Sequence, residues 1–140
     1  GKVVSELQRN PESRRAIIIY TRPSMWEEYD IDGRADFMCT NAVQYLVRDG
    51  KVHACVQMRS NDAVLGFKND RAWQHKVLER VAEALSLPMG DLHWSAGSLH
   101  VYERHFYLVD HYWRTGEISI AKSKYRELYP TSPYLSALEV

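Results

Sequence analysis

An α+β fold follows from three observations: a long two-stranded hairpin, a single strongly periodic helix after it, and a further strand-like run beyond the helix. The hairpin turns on Asp49-Gly50, a dipeptide suited to the two positive-φ positions of a tight turn. Its arms run from Phe37 to Val47 and from Lys51 to Arg59, and are rich in Val, Tyr, Cys and Gln. After Leu65-Gly66-Phe67 the apolar period becomes helical: Trp73, Val77, Val81 and Leu85 recur every four residues, with Leu78 and Ala82 beside them. This predicts a core helix of about 16 residues, ended by Pro88 and Gly90. Asp91 to Tyr102 then reads as another strand, giving a mixed sheet covered by one long helix.

The remaining stretches fill in around that frame. Residues 1–13 are polar and weakly patterned, and Asn10-Pro11-Glu12-Ser13 signals a turn. The β-branched run Ile17 to Ile19 predicts a buried strand, which Pro23 ends. Arg14 and Arg15 stand at its entrance, either as a solvated pair or as a local phosphate-binding cluster. From Ser24 to Asp36 the chain turns acidic, with Glu27, Glu28, Asp30, Asp32 and Gly33, and reads as a surface loop, mobile or inserted. A second helix is expected from about Glu103 to Trp113, closed by Thr115-Gly116 and followed by a short strand, Ile118-Ser119-Ile120. The tail after Tyr129-Pro130 has turn residues and little period. There is no internal repeat, and residues 1–140 read as one domain.

The 140 residues are 45% hydrophobic and 26% charged, with a formal net charge of zero, which suits one globular unit with a real core. Balanced charge argues against nucleic acid or a membrane surface as the main partner. No apolar run approaches membrane-spanning length, and Gly1-Lys2-Val3-Val4 has no signal-peptide character, so a cytoplasmic protein is expected. Cys39 and Cys55 lie well away from cross-strand opposition and read as free thiols. The six histidines lack the helical spacing of a zinc enzyme, and no metal is expected.

The hairpin also assembles chemistry. With Asp49 and Gly50 at its centre, Arg48 faces Lys51, and continuing the count sets Cys39 opposite Ser60, with Arg59 adjacent. A thiol beside an arginine is a nucleophile in waiting, because the fixed positive charge favours thiolate over thiol. Asn41, Val43 and Tyr45 should share the Cys39 face. His100 and Tyr102, two apart in a strand, should point the same way. Asn69 or Asp70 stands at the start of the long helix, where an acid serves as a cap or interacts with the helix dipole.

In several motifs taken together the sequence resembles the thymidylate synthase family, which includes the pyrimidine hydroxymethylases. The motifs are Ser13-Arg14-Arg15, the lone Cys39, Arg59-Ser60-Asn61-Asp62 followed by Leu65-Gly66, and Gly97-Ser98-Leu99-His100-Val101-Tyr102. They fall in the family's order, with its spacing, over roughly residues 13 to 107. The resemblance implies a thymidylate-synthase-like fold that dimerises through its sheet. It implies that Cys39 attacks C6 of a pyrimidine nucleoside monophosphate, activating C5 to take a one-carbon unit from 5,10-methylenetetrahydrofolate. Arg59 and Ser60 would hold the 5′-phosphate, and Arg14 and Arg15 would reach the neighbouring subunit's phosphate in a homodimer. His100 and Tyr102 would bind the sugar hydroxyl, and the backbone at Asp62 the base.

Asp70 occupies the position where the family's thymidylate synthases carry an asparagine that reads uracil. Cytosine reverses uracil's pattern, offering a 4-amino donor and an N3 acceptor, and a protonated carboxyl matches it. The resemblance agrees, since deoxycytidylate hydroxymethylases carry Asp here. The expected activity is therefore 5-hydroxymethylation of dCMP or CMP, with conversion of dUMP to dTMP, or nucleotide binding without catalysis, as alternatives. Thr40 and Met58 depart from the family's usual histidine and glutamine. The family's N-terminal part, with a glutamate used in proton transfer, has no counterpart before Gly1, so the chain reads as the C-terminal catalytic portion of the fold.

Overall fold

The computed structural model describes residues 1–29, 31 and 37–139. Asp30, Asp32 and Gly33 of the expected acidic loop lie outside the described residues. Four strands, β1 (Ile17–Ile19), β2 (Thr40–Arg48), β3 (Lys51–Met58) and β5 (Met89–Ala96), form a sheet in the order β1-β2-β3-β5. The β1–β2 and β2–β3 pairs are antiparallel and β3–β5 is parallel, so the sheet is mixed, as the sequence predicts. The turn between β2 and β3 has Asp49 at φ 51 and Gly50 at φ 70, both in the left-handed region that a two-residue hairpin requires. A second, two-stranded parallel sheet joins β4 (Asn61–Asp62) to β6 (Leu99–His100).

The parallel pair needs a crossover, and α2 (Gly66–Leu85) supplies it. Alternate residues of β2 and β3, among them Val43, Tyr45, Val52, Ala54 and Val56, are buried beneath Leu78, Val81 and Ala82 of α2. The inner stripe is not the four-residue series read from the sequence, since Trp73 is 62% exposed while Gln74 and Leu78 are buried. A helix advances about 100° per residue, so a strict four-residue repeat drifts about 40° at each step and cannot stay on one face. The helix runs to 20 residues and stops earlier than Pro88, because Ser86 adopts a left-handed conformation (φ 54). The following amide, Leu87 N–H, bonds back to Ala82 O at 3.1 Å.

Other expectations change too. Residues 1–13 contain a helix, α1 (Lys2–Arg9), whose Leu7 enters the core. Part of the expected acidic loop is a 3-10 helix over Pro23–Glu28 that buries Met25. The run 91–102 is two strands separated by Gly97-Ser98. A 3-10 turn at Glu103–His105 leads into α3 (Phe106–Thr115), which Gly116 ends at φ 79. Ile118-Ser119-Ile120 is not a strand; Ile118 is exposed and takes no strand partner among the described residues. Between it and Tyr129 lies an unexpected helix, α4 (Lys122–Leu128), anchored by the buried Tyr125, whose hydroxyl bonds Asp110 Oδ2 at 2.6 Å and Ser132 Oγ at 2.7 Å. Ile19, His53, Cys55 and His93 lie on the sheet face away from α2, which no helix covers among the described residues.

Candidate active site

The hairpin brings the thiol to the arginine, with one correction to the register. From Arg48↔Lys51 to Ala42↔Gln57 the pairing follows the count from the turn, but Thr40 then pairs with Met58, leaving Asn41 as a bulge. Asn41 turns its carbonyl to β1, accepting from Tyr20 N–H at 2.9 Å. The shift sets Cys39 against Arg59 rather than Ser60, and Arg59 N–H donates to Cys39 O at 2.9 Å. It also interrupts the alternation expected for Cys39, Asn41, Val43 and Tyr45: Val43 and Tyr45 are buried, Asn41 is half-buried and Cys39 is exposed.

The Arg59 side chain curls around the segment leading to Cys39. Its Nε donates to Met38 O at 2.9 Å and its Nη2 to Phe37 O at 2.8 Å, with Nη2 3.7 Å from Cys39 Sγ. The guanidinium stacks over the Phe37 ring, 4.8 Å from its centroid. Nη1 has no protein partner among the described residues. One face of the guanidinium group thus supports the thiol while the remaining donors are available to an anion.

From Arg59 the chain passes through the half-buried Ser60 into β4, where the parallel register sets Asp62 beside His100. Two contacts hold this crossing together: Gly97 N–H to Met58 O at 2.9 Å and Ser98 N–H to Arg59 O at 3.1 Å. A Cβ at Gly97 would lie 3.1 Å from Arg59 O, so the close approach favours glycine. His100 and Tyr102 meet edge to face with ring centroids 5.0 Å apart, and Ser98 Oγ lies 3.2 Å from His100 Nδ1. Arg104 covers the Tyr102 ring at 4.3 Å.

Asp62, not Asp70, caps α2. Its carboxylate accepts from the backbone N–H groups of Val64 at 3.0 Å, Leu65 at 3.3 Å and Gly66 at 3.4 Å. Burial pushes the Asp62 pKa up, but these three donors, with the charge of His105, outweigh it and hold the carboxyl below its ordinary value. Asp70 lies in the second turn of α2, so its cap reading falls away. Burial raises its pKa against a hydrogen bond from Asn61, whose Nδ2 donates to Asp70 Oδ2 at 2.8 Å. Asn61 in turn accepts from Trp94 Nε1 at 3.1 Å. Neither Asn61 nor Trp94 stood out as a site residue in the sequence, although Asn61 falls within the Arg59–Asp62 motif.

Cys39, Arg59, Ser60, Asp62, Asp70, His100 and Tyr102 are therefore linked through one run of contacts. Arg14 and Arg15 are not part of it. They precede Ile17, which pairs with Gln44, so they lie about seven residues along β2 from Cys39, or about 20 Å at the rise of a strand. Arg15 sits 3.3 Å from Glu6, and Gln44 Nε2 donates to Arg14 O at 2.8 Å. Among the described residues one group has metal-capable atoms within 4.8 Å of one another: His53, Asp91 and His93, on the uncovered sheet face. Pairing of β3 with β5 assembles it, and Asp91 N–H already donates to His53 Nδ1 at 3.0 Å. Near Asp62, an open pocket of about 250 Å³ is lined by Ala63, Val64, Leu108, Val109, Tyr112 and Ile118, a mostly apolar surface.

Comparison with known proteins places this arrangement. The family model for thymidylate synthase matches residues 1–124. The deoxycytidylate 5-hydroxymethyltransferase of Enterobacteria phage T6 is 55% identical over 130 residues, covering 88% of this chain and 53% of that protein. That of Enterobacteria phage T4 is 56% identical over 129 residues, covering 87% and 52%. The thymidylate synthase of Bacillus licheniformis is 34% identical over 104 residues, 74% of this chain and 35% of that one. Among solved structures, thermostable thymidylate synthase A from Bacillus subtilis superposes with a TM-score of 0.66 at 26% identity, covering 78% of this chain and 37% of the other. The chain spans about half the length of the phage relatives it matches. By sequence and by fold, it belongs to the thymidylate synthase family.

Proposed function

We propose that the intact protein transfers a one-carbon unit from 5,10-methylenetetrahydrofolate to C5 of a cytidylate, dCMP or CMP, where water adds to the exocyclic methylene to leave a hydroxymethyl group and tetrahydrofolate is released. The observation that carries the choice of base is Asp70, a half-buried carboxyl whose pKa burial raises. A neutral carboxyl with its proton toward N3 donates to cytosine N3 and accepts from its 4-amine, and in that arrangement uracil is a buried mismatch worth orders of magnitude in discrimination. The similarity to the two phage deoxycytidylate 5-hydroxymethyltransferases supports the same reading.

In this proposal Cys39 adds to C6 of the ring, with the guanidinium of Arg59 3.7 Å from the sulfur. Arg59 Nη1 and Ser60 take the 5′-phosphate, the backbone at Asp62 contacts the base, and His100 and Tyr102 bind the sugar hydroxyl. The folate supplies the one-carbon unit and lies against the apolar wall around Val64 and Tyr112. Arg14 and Arg15, exposed and remote from their own thiol, serve the phosphate of a second subunit in a homodimer formed through the uncovered sheet face. Residues 1–140 form one domain, the portion of the catalytic unit that carries the nucleophile. A catalytic thiol must stay reduced, which suits the cytoplasm.

The test is to incubate the intact protein with methylenetetrahydrofolate and each of dCMP, CMP and dUMP, and to identify products by mass. A 5-hydroxymethylated cytidylate is expected. Conversion of dUMP to dTMP with no cytidylate product would overturn the assignment in favour of a thymidylate synthase. Calorimetric nucleotide binding without turnover of any substrate would instead leave a non-catalytic binding protein.

A further inference from the structure

A neutral aspartic acid does not by itself choose between the two pyrimidines. With its proton on the oxygen facing N3 and a bare oxygen facing the 4-position, it matches cytosine. With the proton on the other oxygen it matches uracil, donating to O4 and accepting from N3–H. Something must hold the proton on one oxygen.

The surroundings of Asp70 do this. Asn61 is 2% exposed, and its backbone N–H and both ends of its amide are engaged: N–H to Ser98 O at 2.8 Å, Oδ1 to Trp94 Nε1 at 3.1 Å, and Nδ2 to Asp70 Oδ2 at 2.8 Å. An amide can exchange its oxygen and nitrogen by a half-turn, but an indole N–H only donates. Trp94 therefore draws the amide oxygen to itself and turns the NH₂ toward Asp70. Trp94 is itself fixed, paired with Val56 in the β3–β5 ladder and met edge-on by the Phe67 ring at 5.3 Å. A proton on Asp70 Oδ2 would face the Asn61 NH₂, donor against donor, whereas a proton on Oδ1 meets no such conflict. Oδ1 has no protein partner among the described residues.

We propose that Trp94 and Asn61 are positioning residues that confine the proton of Asp70 to Oδ1, so that a carboxylic acid able to read either base reads cytosine alone. Oδ1–H then faces N3, while Oδ2, with two lone pairs, accepts from both Asn61 and the 4-amine. This inference rests on the cytosine reading above and adds the reason that uracil is refused. It also predicts that the refusal depends on a residue that never touches the base.

The experiment compares kcat/KM for dCMP and dUMP, followed by release of tritium from C5, in the intact protein and in Trp94→Phe. The substitution deletes one N–H and keeps an aromatic ring against Phe67, leaving the Asn61 amide free to turn its oxygen to Asp70. The preference for dCMP over dUMP should fall by about tenfold, the scale of one buried hydrogen bond, with the dUMP rate rising in absolute terms. A merely structural role would lower both rates and leave their ratio unchanged. Asn61→Leu, read by calorimetric binding of the two nucleotides, gives the same comparison without turnover and should also lose preference. A wild type that prefers dCMP, with the ratio unchanged in both variants, overturns the relay and leaves the cytosine reading standing. A wild type that prefers dUMP overturns both.

Discussion

Thr40 and Met58, 18 residues apart in the chain, are a single feature in space. They are partners in the β2–β3 ladder, and the Thr40 hydroxyl donates to the Met58 sulfur at 3.3 Å. The bulge at Asn41 hid that pairing, which the count from the turn misses by one residue, and sequence separation hid Trp94, because the indole reaches Asn61 across 33 residues through a parallel strand pair. Cys39 and Arg59 were legible because a tight turn joins them; even there the bulge moved the register by one residue. Cys39→Ser should abolish tritium release from C5-labelled cytidylate, and persistent release would remove the thiol from the mechanism. Asp70→Asn should reverse the base preference, lowering kcat/KM for dCMP relative to dUMP by at least about a hundredfold. Asp70 has a raised folded pKa, so its favourable contribution to stability is complete below the unfolded value and is lost as pH rises through the folded one. Asp70→Asn should therefore raise the melting temperature at alkaline pH and leave it nearly unchanged in acid, which calorimetry at the two extremes checks.

Helix α2 shows which part of an element a pattern carries. Its existence was plain from the apolar period, but the four-residue series put Trp73 inward where the structure buries Gln74 and Leu78, and its first turn belongs to Asp62, four residues ahead of Gly66, where no apolar periodicity points. Helices α1 and α4 are 8 and 7 residues long, too short for a repeat to stand out, and each is held by one buried side chain, Leu7 or Tyr125. Asp62→Ala removes the acceptor for three amides at the start of α2 and should cost about 1–2 kcal/mol, measured by denaturant unfolding. The Asp62 pKa is lowered in the fold, so its contribution is present above the unfolded value and lost as pH falls through the folded one. The gap between wild type and Asp62→Ala should close in acid.

For the whole molecule, the distance between the arginine pair and the thiol predicts shared sites. In a mixture of Arg14→Ala/Arg15→Ala subunits with Cys39→Ser subunits, each inactive alone, a mixed dimer joins an intact thiol to an intact arginine pair. Random reassociation makes half the dimers mixed, each with one working site, so about a quarter of wild-type activity should return. No recovery on mixing would mean that each subunit uses its own arginines. The mixed sheet and its covering helix were readable from the chain, because periodicity and turn chemistry are local. The placement of β4 against β6, which brings Asp62 to His100, depends on a crossover that no short window of sequence contains.

The Asp49-Gly50 turn has a consequence for the order in which this protein takes shape. Cys39 and Arg59 are 20 residues apart, but zipping from a two-residue loop closes that gap without a large loss of chain entropy. Asn61 meets Trp94 only after the whole α2 crossover is in place. The thiol should therefore acquire its arginine early in folding and keep it late in unfolding, while the relay to Asp70 forms last. Pulsed hydrogen exchange should find the amides of β2 and β3 protected before those of β5, and the reverse order would refute this. A molecule caught partway would hold Cys39 against Arg59 before Trp94 had reached Asn61.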